Sequence, residues 1–266
     1  MTKRFLAIPL LLSCLVLPAR GDDPFVTREA TEEFLRTAKI VKSKTLGTGV
    51  TLPLKLTLDD GKVQHFAIYK SIDERKPGLT QLAASAEVDF KDSWMFEVAG
   101  YELDKLLGLG MAPVTVERAY NGHRGSLQFW IDNCMTEGER IKKKLQPPSP
   151  IAWNQQMFKV RLFDNLAYNI DRNLGNLLIT PDWKLYMIDH SRTFKSVAML
   201  KSPKDLSSFS RSFMEALGKL DKETVAAHCG KYLTTFEIDT LLKRRDLLVE
   251  LYNRHRAEKG EAGIFP

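Results

Sequence analysis

The chain has 266 residues, 27% of them charged and 44% hydrophobic, with a formal net charge of +6. That length is enough for one large domain or two lobes with a sizeable core, and its three cysteines form no Cys/His cluster of zinc spacing. Loss of the first 21 residues would remove Lys3, Arg4 and Arg20 and no acid, lowering the charge to +3. So mild a charge gives no ground for a nucleic-acid partner.

Those first residues read as a secretory leader. Lys3 and Arg4 precede an apolar run from Phe5 to Leu17, and Ala19-Arg20-Gly21 offers a small-x-small cleavage site. A lipoprotein leader ending at Cys14 fits less well, because the apolar run continues past it. The run is also too short to span a bilayer, and no other stretch is apolar enough, so no transmembrane span is expected after cleavage. Cys134 and Cys229 then remain, and an oxidising compartment would let them pair if they lie within reach.

In chain order, Thr27 to Lys39 predicts a helix capped by Thr27. Thr45 to Leu58 and Lys62 to Lys70 predict two strands joined by an Asp60-Gly61 turn. Gly47 and Gly49 precede the first, where small residues let backbone approach a phosphate. Lys70 ends the apolar strand Phe66-Ala67-Ile68-Tyr69. Arg75 to Lys91 reads as a polar loop over a site. Ser93 to Leu107 predicts a helix with Phe96, Ala99, Leu103, Leu106 and Leu107 on one face and Glu97 near its start. Met111 to Arg118 and Gly125 to Asp132 predict strands, and Ile141 to Pro150 a surface loop. Asn154 to Ala167 predicts a buried helix. Lys201 to Ser210 reads as a connector, followed by helices near Arg211–Leu220, Lys222–Lys231 and Phe236–Glu258.

The chemistry is concentrated between Phe163 and Phe194. Asp171 is followed five positions later by Asn176 and, thirteen after that, by Asp189. Between the last two, Leu177-Leu178-Ile179, a Pro181-Asp182 turn and Leu185 to Ile188 predict a β-hairpin. A hairpin returns the chain on itself, so Asn176 and Asp189 come side by side with Asp171 before them. Two carboxylates and an amide are hard oxygen donors, suited to Mg²⁺ or Mn²⁺.

With Lys70, Glu97, Asp171, Asn176 and Asp189 in this order, the stretch from Val41 to Phe194 resembles the atypical branch of the protein-kinase-like superfamily: phosphatidylinositol 3-/4-kinase-type, HipA-like and secretory-pathway kinase domains. The resemblance implies an α+β, two-lobed fold, with residues 22–132 as a β-rich N-lobe and 133–266 as a mainly helical C-lobe. It implies ATP as donor, with Lys70 on the α/β-phosphates, Glu97 holding Lys70, and Asn176 and Asp189 on the metal. Asp171 would meet an acceptor hydroxyl, and the backbone of Trp130 to Asp132 an adenine ring. Where many relatives have Asp-Arg-His, this chain has Asp171-Arg172-Asn173, and His190-Ser191 replaces the Phe-Gly that usually follows the metal-binding Asp. Three activities fit: an exported kinase acting on a protein, glycan or lipid hydroxyl; a nucleotide-binding pseudokinase; and an AMP-transferring enzyme.

Overall fold

A computed structural model of the chain describes residues 25–47, 53–82 and 86–265. The expected leader and Gly49 lie outside them. The N-terminal part is built on a five-stranded antiparallel sheet. The helix α1 (Arg28–Thr37) leads into β1 (Lys39–Thr45), β2 (Leu54–Asp59) and β3 (Gln64–Lys70), which form a meander. Then β6 (Thr115–Tyr120) and β7 (His123–Phe129) complete the order β1-β2-β3-β7-β6. The predicted Asp60-Gly61 turn joins β2 to β3: the Asp60 carboxylate accepts from the N–H groups of Lys62 and Val63, and Gly61 takes the left-handed φ of 89° that a side chain resists. Alternation along β2 and β3 sends Leu56, Leu58, Ala67 and Tyr69 to one face, where Phe34, Leu35 and Ala38 of α1 cover them. Each such side chain taken fully from water contributes about 2 kcal/mol.

Two expectations for this half need correction. The helix ends at Thr37 and a strand starts at once, at Lys39, where a longer helix and a later strand were expected. Its Lys-rich sequence carries little apolar signal because β1 lies at a sheet edge, where lysines are tolerated. The polar stretch after Lys70 is also no loop. It forms β4 (Asp73–Gln81) and β5 (Ala86–Ser93), an antiparallel pair in register from Asp73↔Ser93 to Gln81↔Ala86. Pro77-Gly78 reads as a turn in sequence, but here it forms the irregularity between Lys76 and Leu79, with Gly78 at a φ of 77° donating to Asp89. Ion pairs, with the buried Phe90 ring under Arg192, hold this ribbon to the molecule: Glu87 with Arg192 and Lys195, and Lys91 and Arg75 with Glu237.

From β5 the chain enters α2 (Trp94–Leu106), the helix expected from Ser93, whose hydroxyl caps it by accepting from Met95 N–H. Phe96, Ala99, Leu103 and Leu107 pack into a second, larger core with α4 (Pro150–Leu166) and the C-terminal helices α5 (Arg211–Leu217), α6 (Lys222–Cys229) and α7 (Thr235–Ile264). The short strand β8 (Met135–Thr136), the helix α3 (Glu137–Lys142) and the hairpin β9 (Leu177–Ile179)–β10 (Leu185–Met187) lie between. The molecule is therefore α+β, a sheet-rich N-terminal region followed by a helical C-terminal one. No helix among the described residues is long and apolar enough to cross a membrane.

Cys134 and Cys229, the cysteines among the described residues, are free thiols rather than a disulfide. Cys229 is buried against the Ala99 carbonyl, and burial pushes its thiol up to about 12; Cys134 faces the Ile131 carbonyl.

Candidate active site

Three elements bring Lys70, Glu97 and Asp189 together. Lys70 is the last residue of β3 and shares a face with Phe66 and Ile68, opposite the core face. Glu97 lies in the first turn of α2, where the helix dipole favours a carboxylate. Asp189 follows β10 with a left-handed φ of 61°, a conformation that Asp tolerates better than most residues. The ammonium of Lys70 joins them, 2.5 Å from Glu97 Oε1 and 2.8 Å from Asp189 Oδ1. Residues 119 positions apart in the chain thus form one ion-pair triad.

The charges respond accordingly. Burial alone would lower the Lys70 pKa, but the two carboxylates hold it above its ordinary value. Burial pushes the Glu97 carboxyl up, Lys70 opposing and Asp189 adding to the push. Asp189 feels burial too, yet the Lys70 charge brings it below the usual carboxylate range. Glu97 is 2% exposed, whereas the side chains of Lys70 and Asp189 are 24% and 38% exposed. The open end of the triad faces a cavity of about 180 Å³, lined by Pro53, Lys70, Ser71, Asp92, Asp189 and Ser191 among others.

The loop before the hairpin is pinned by Arg172. Its guanidinium meets both Asp164 oxygens and donates to the carbonyls of Asn176 at 3.0 Å and Ile188 at 2.7 Å. Ile188 N–H returns to the Asn176 carbonyl at 3.1 Å, so the two ends of the hairpin are adjacent as the sequence predicts. The Asn176 amide donates to the Asp171 carbonyl at 3.0 Å, which leaves its oxygen as an acceptor. Asp171 is half-buried; burial raises its carboxyl, with Asp189 and Asp92 adding to the effect and Arg192 and Lys201 opposing it. Asn173 has a local role: it caps the turn by accepting from Gly175 N–H at 2.8 Å. Gly47 also has a left-handed φ, 75°, with open space where a Cβ would lie, and Leu46 N–H donates to the Pro53 carbonyl at 2.9 Å.

Sequence reasoning did not name Asp92 and noted His190 without giving it a role. Asp92, at the end of β5, adds a second carboxylate to the cavity; in sequence it is one acid among many in a polar stretch. His190 is fully buried between α2 and Phe163, and a Cβ on Gly100 would come within 3.0 Å of its ring. Its backbone N–H donates to Glu97 Oε2, and Nε2 accepts from Arg172 at 3.2 Å. Burial, with the Arg172 charge, pushes the imidazole well below its usual pKa, so it is neutral and carries its proton on Nδ1. The residue in place of the usual Phe therefore ties the Asp189 segment to the helix bearing Glu97.

One expected contact is altered. Trp130 N–H donates to the Phe66 carbonyl at 3.1 Å, and its own carbonyl accepts from His65 Nε2 at 2.9 Å. Both of its backbone groups are engaged within the protein.

No family model matches the chain, and a search of curated proteins finds no match. Solved structures do. A hydra Fam20 solved with sugar superposes with a TM-score of 0.68 at 14% identity, over 91% of this chain and 93% of that one. The Golgi casein kinase with Mn/ADP bound gives 0.63 at 15% identity, over 89% and 78%. A Helicobacter pylori proinflammatory kinase, CtkA, gives 0.55 at 10% identity, over 85% and 98%. At such identities the likeness is one of fold: the chain has the atypical protein-kinase-like fold that its residue order resembles.

Proposed function

We propose that this kinase-like chain is an exported phosphotransferase that moves the γ-phosphoryl group of ATP to a hydroxyl of a protein, glycan or lipid acceptor. The observation that carries the reading is the Lys70–Glu97–Asp189 triad, open on one side to a cavity. A lysine held by a buried carboxylate presents a fixed positive charge to phosphate oxygens, and positioning and charge neutralisation supply most of the acceleration in phosphoryl transfer.

The roles follow from the placement of each group. Lys70 holds the α- and β-phosphates, and Glu97 keeps its ammonium from swinging out. Gly47 and Gly49, as residues without a side chain, would let backbone approach the phosphates. Asp171, before the hairpin, takes the proton of the acceptor hydroxyl as its oxygen bonds to phosphorus and the bond from phosphorus to the ADP oxygen breaks. Asp189 and the Asn176 amide oxygen, at the two ends of the hairpin, are the hard oxygen donors that would hold a divalent cation there. Mg²⁺ or Mn²⁺ there would neutralise the charge of the transferring group. The Mn/ADP in the Golgi casein kinase and the sugar with hydra Fam20 agree with such a donor and a hydroxyl acceptor.

The test is incubation of the purified protein with Mn²⁺ and ATP, followed by intact-mass measurement of the protein and added acceptors. A phosphoryl gain that disappears in Asp171→Asn supports the reading. A gain of AMP would identify the transferred group as the nucleotide, and no gain with retained ATP binding would make the chain a pseudokinase. Undiminished ATP-induced thermal stabilisation in Asp189→Ala would remove the metal assignment.

A further inference from the structure

The five-stranded sheet has two edges, and they are built differently. β1 carries Lys39, Lys42 and Lys44 and a register shift between Ile40 and Lys42, devices that keep a further strand from adding. β6 has no lysine, proline or register shift. The bond from Phe129 N–H to the Val114 carbonyl, 2.8 Å, sets the phase of the ladder between β6 and β7. Val114, Val116, Arg118 and Tyr120 face β7, so Thr115, Glu117 and Ala119 turn their backbone N–H and C=O groups away from it. Thr115 is buried, whereas Glu117 is half-buried and Ala119 exposed. Among the described residues, no group bonds the backbone N–H or C=O of Glu117 or Ala119.

That edge borders a cavity of about 480 Å³, walled by Arg36 of α1, Val98 and Glu102 of α2, and Lys231 and Tyr232 after α6. It shares no lining residue with the cavity at Lys70. Every residue from Thr115 to Ala119 lines it, so the cavity runs along the strand instead of meeting it at one point. An extended peptide is the ligand whose donors and acceptors repeat at the spacing of such an edge. Cations exceed acids on the walls. Arg124 and Lys231 share the one carboxylate of Glu117. The Arg118 guanidinium donates to the carbonyls of Leu35 and Ala38, both at 2.6 Å, and has no carboxylate partner among the described residues. The excess of positive charge favours acidic side chains and opposes a second copy of this edge, which would bring the same cations with it.

We propose that the β6 edge is an interaction surface that takes an extended acidic segment of a partner protein as a sixth strand. The probe is a capped heptapeptide of alternating glutamate and valine, read by fluorescence anisotropy and by backbone amide exchange in the full chain. The Glu117 and Ala119 amides should exchange fast in the free protein, and peptide at ten times its Kd should slow both about tenfold. Ala119→Pro deletes only an N–H that faces away from β7, a change that an edge strand tolerates. It should weaken peptide binding about tenfold while circular dichroism stays unchanged. Lys231→Glu, which leaves the backbone intact, should weaken the glutamate peptide about tenfold and favour a lysine–valine one. Slow exchange of both amides in the free protein, binding that survives Ala119→Pro, or equal binding of the lysine–valine peptide overturns the proposal. So does the absence of binding at about 1 mM peptide. Dimerisation that Ala119→Pro abolishes would make a second copy the occupant and overturn it as well.

Discussion

Two buried glutamates, Glu97 and Glu237, invite comparison. Each lies in the first turn of a helix, and each receives a lysine from a strand far away in sequence: Lys70 at 2.5 Å and Lys91 at 2.6 Å. Around Glu237 everything is closed. It completes a capping box with Thr234, Arg75 stands 3.7 Å away, and Lys91 also bonds Ser196. Around Glu97 the lysine reaches past its partner to a second carboxylate, which borders a cavity. The same pair thus serves as a rivet under the β4–β5 ribbon and as a charge-presenting device beside α2. The difference lies in what the lysine faces on its far side, not in the pair itself.

Paired substitutions break the comparison most directly. Lys70→Met should lower phosphoryl transfer at least about a hundredfold, as loss of a positioned charge does, with a smaller loss of stability because water from the cavity reaches the vacated space. Lys91→Met should do the reverse. It strips a fully buried carboxylate of its nearest cation, leaving Arg75, at a cost of about 2 kcal/mol. The melting temperature should fall by roughly 4–8 °C. Calorimetry and a turnover assay on both variants decide it; equal effects on both readouts would mean that the two pairs have the same role.

Acidity sharpens it further. Asp189 titrates below the usual range because of Lys70, so the stability it contributes is complete above the unfolded-state value of about 3.9 and is lost as the pH falls through the folded one. The difference in melting temperature between wild type and Asp189→Asn should hold from pH 5 to 8 and shrink below about pH 4. A difference that grows on acidification would contradict the pair. The smallest effect concerns the two thiols. Cys134 should react with an alkylating reagent in the native protein, while Cys229, buried against α2 and pushed up to about 12, should react only on unfolding.

The elements legible in sequence were those whose signal is local. Thr27 announces its helix by capping, the stripe from Phe96 to Leu107 declares a buried face, and the Asp60 turn and the Leu177–Ile188 hairpin follow from turn chemistry and apolar runs. The spacing of Asp171, Asn176 and Asp189 was legible for the same reason: a hairpin's geometry is fixed over a dozen residues. The ribbon from Asp73 to Ser93 was not, because ion pairs to Arg192, Lys195 and Glu237, more than a hundred residues on, hold it with Phe90 rather than an apolar stripe.

By itself, then, the sequence determined which residues could form a phosphate-handling site and in what order, since caps, turns and alternation act between neighbours. Only the tertiary structure decided that Lys70 bridges Glu97 and Asp189, that Asp92 and His190 join them, and that the Trp130 carbonyl is engaged. Those are contacts across 27 to 119 positions of chain, fixed by how the sheet and helices pack, and no local pattern encodes them.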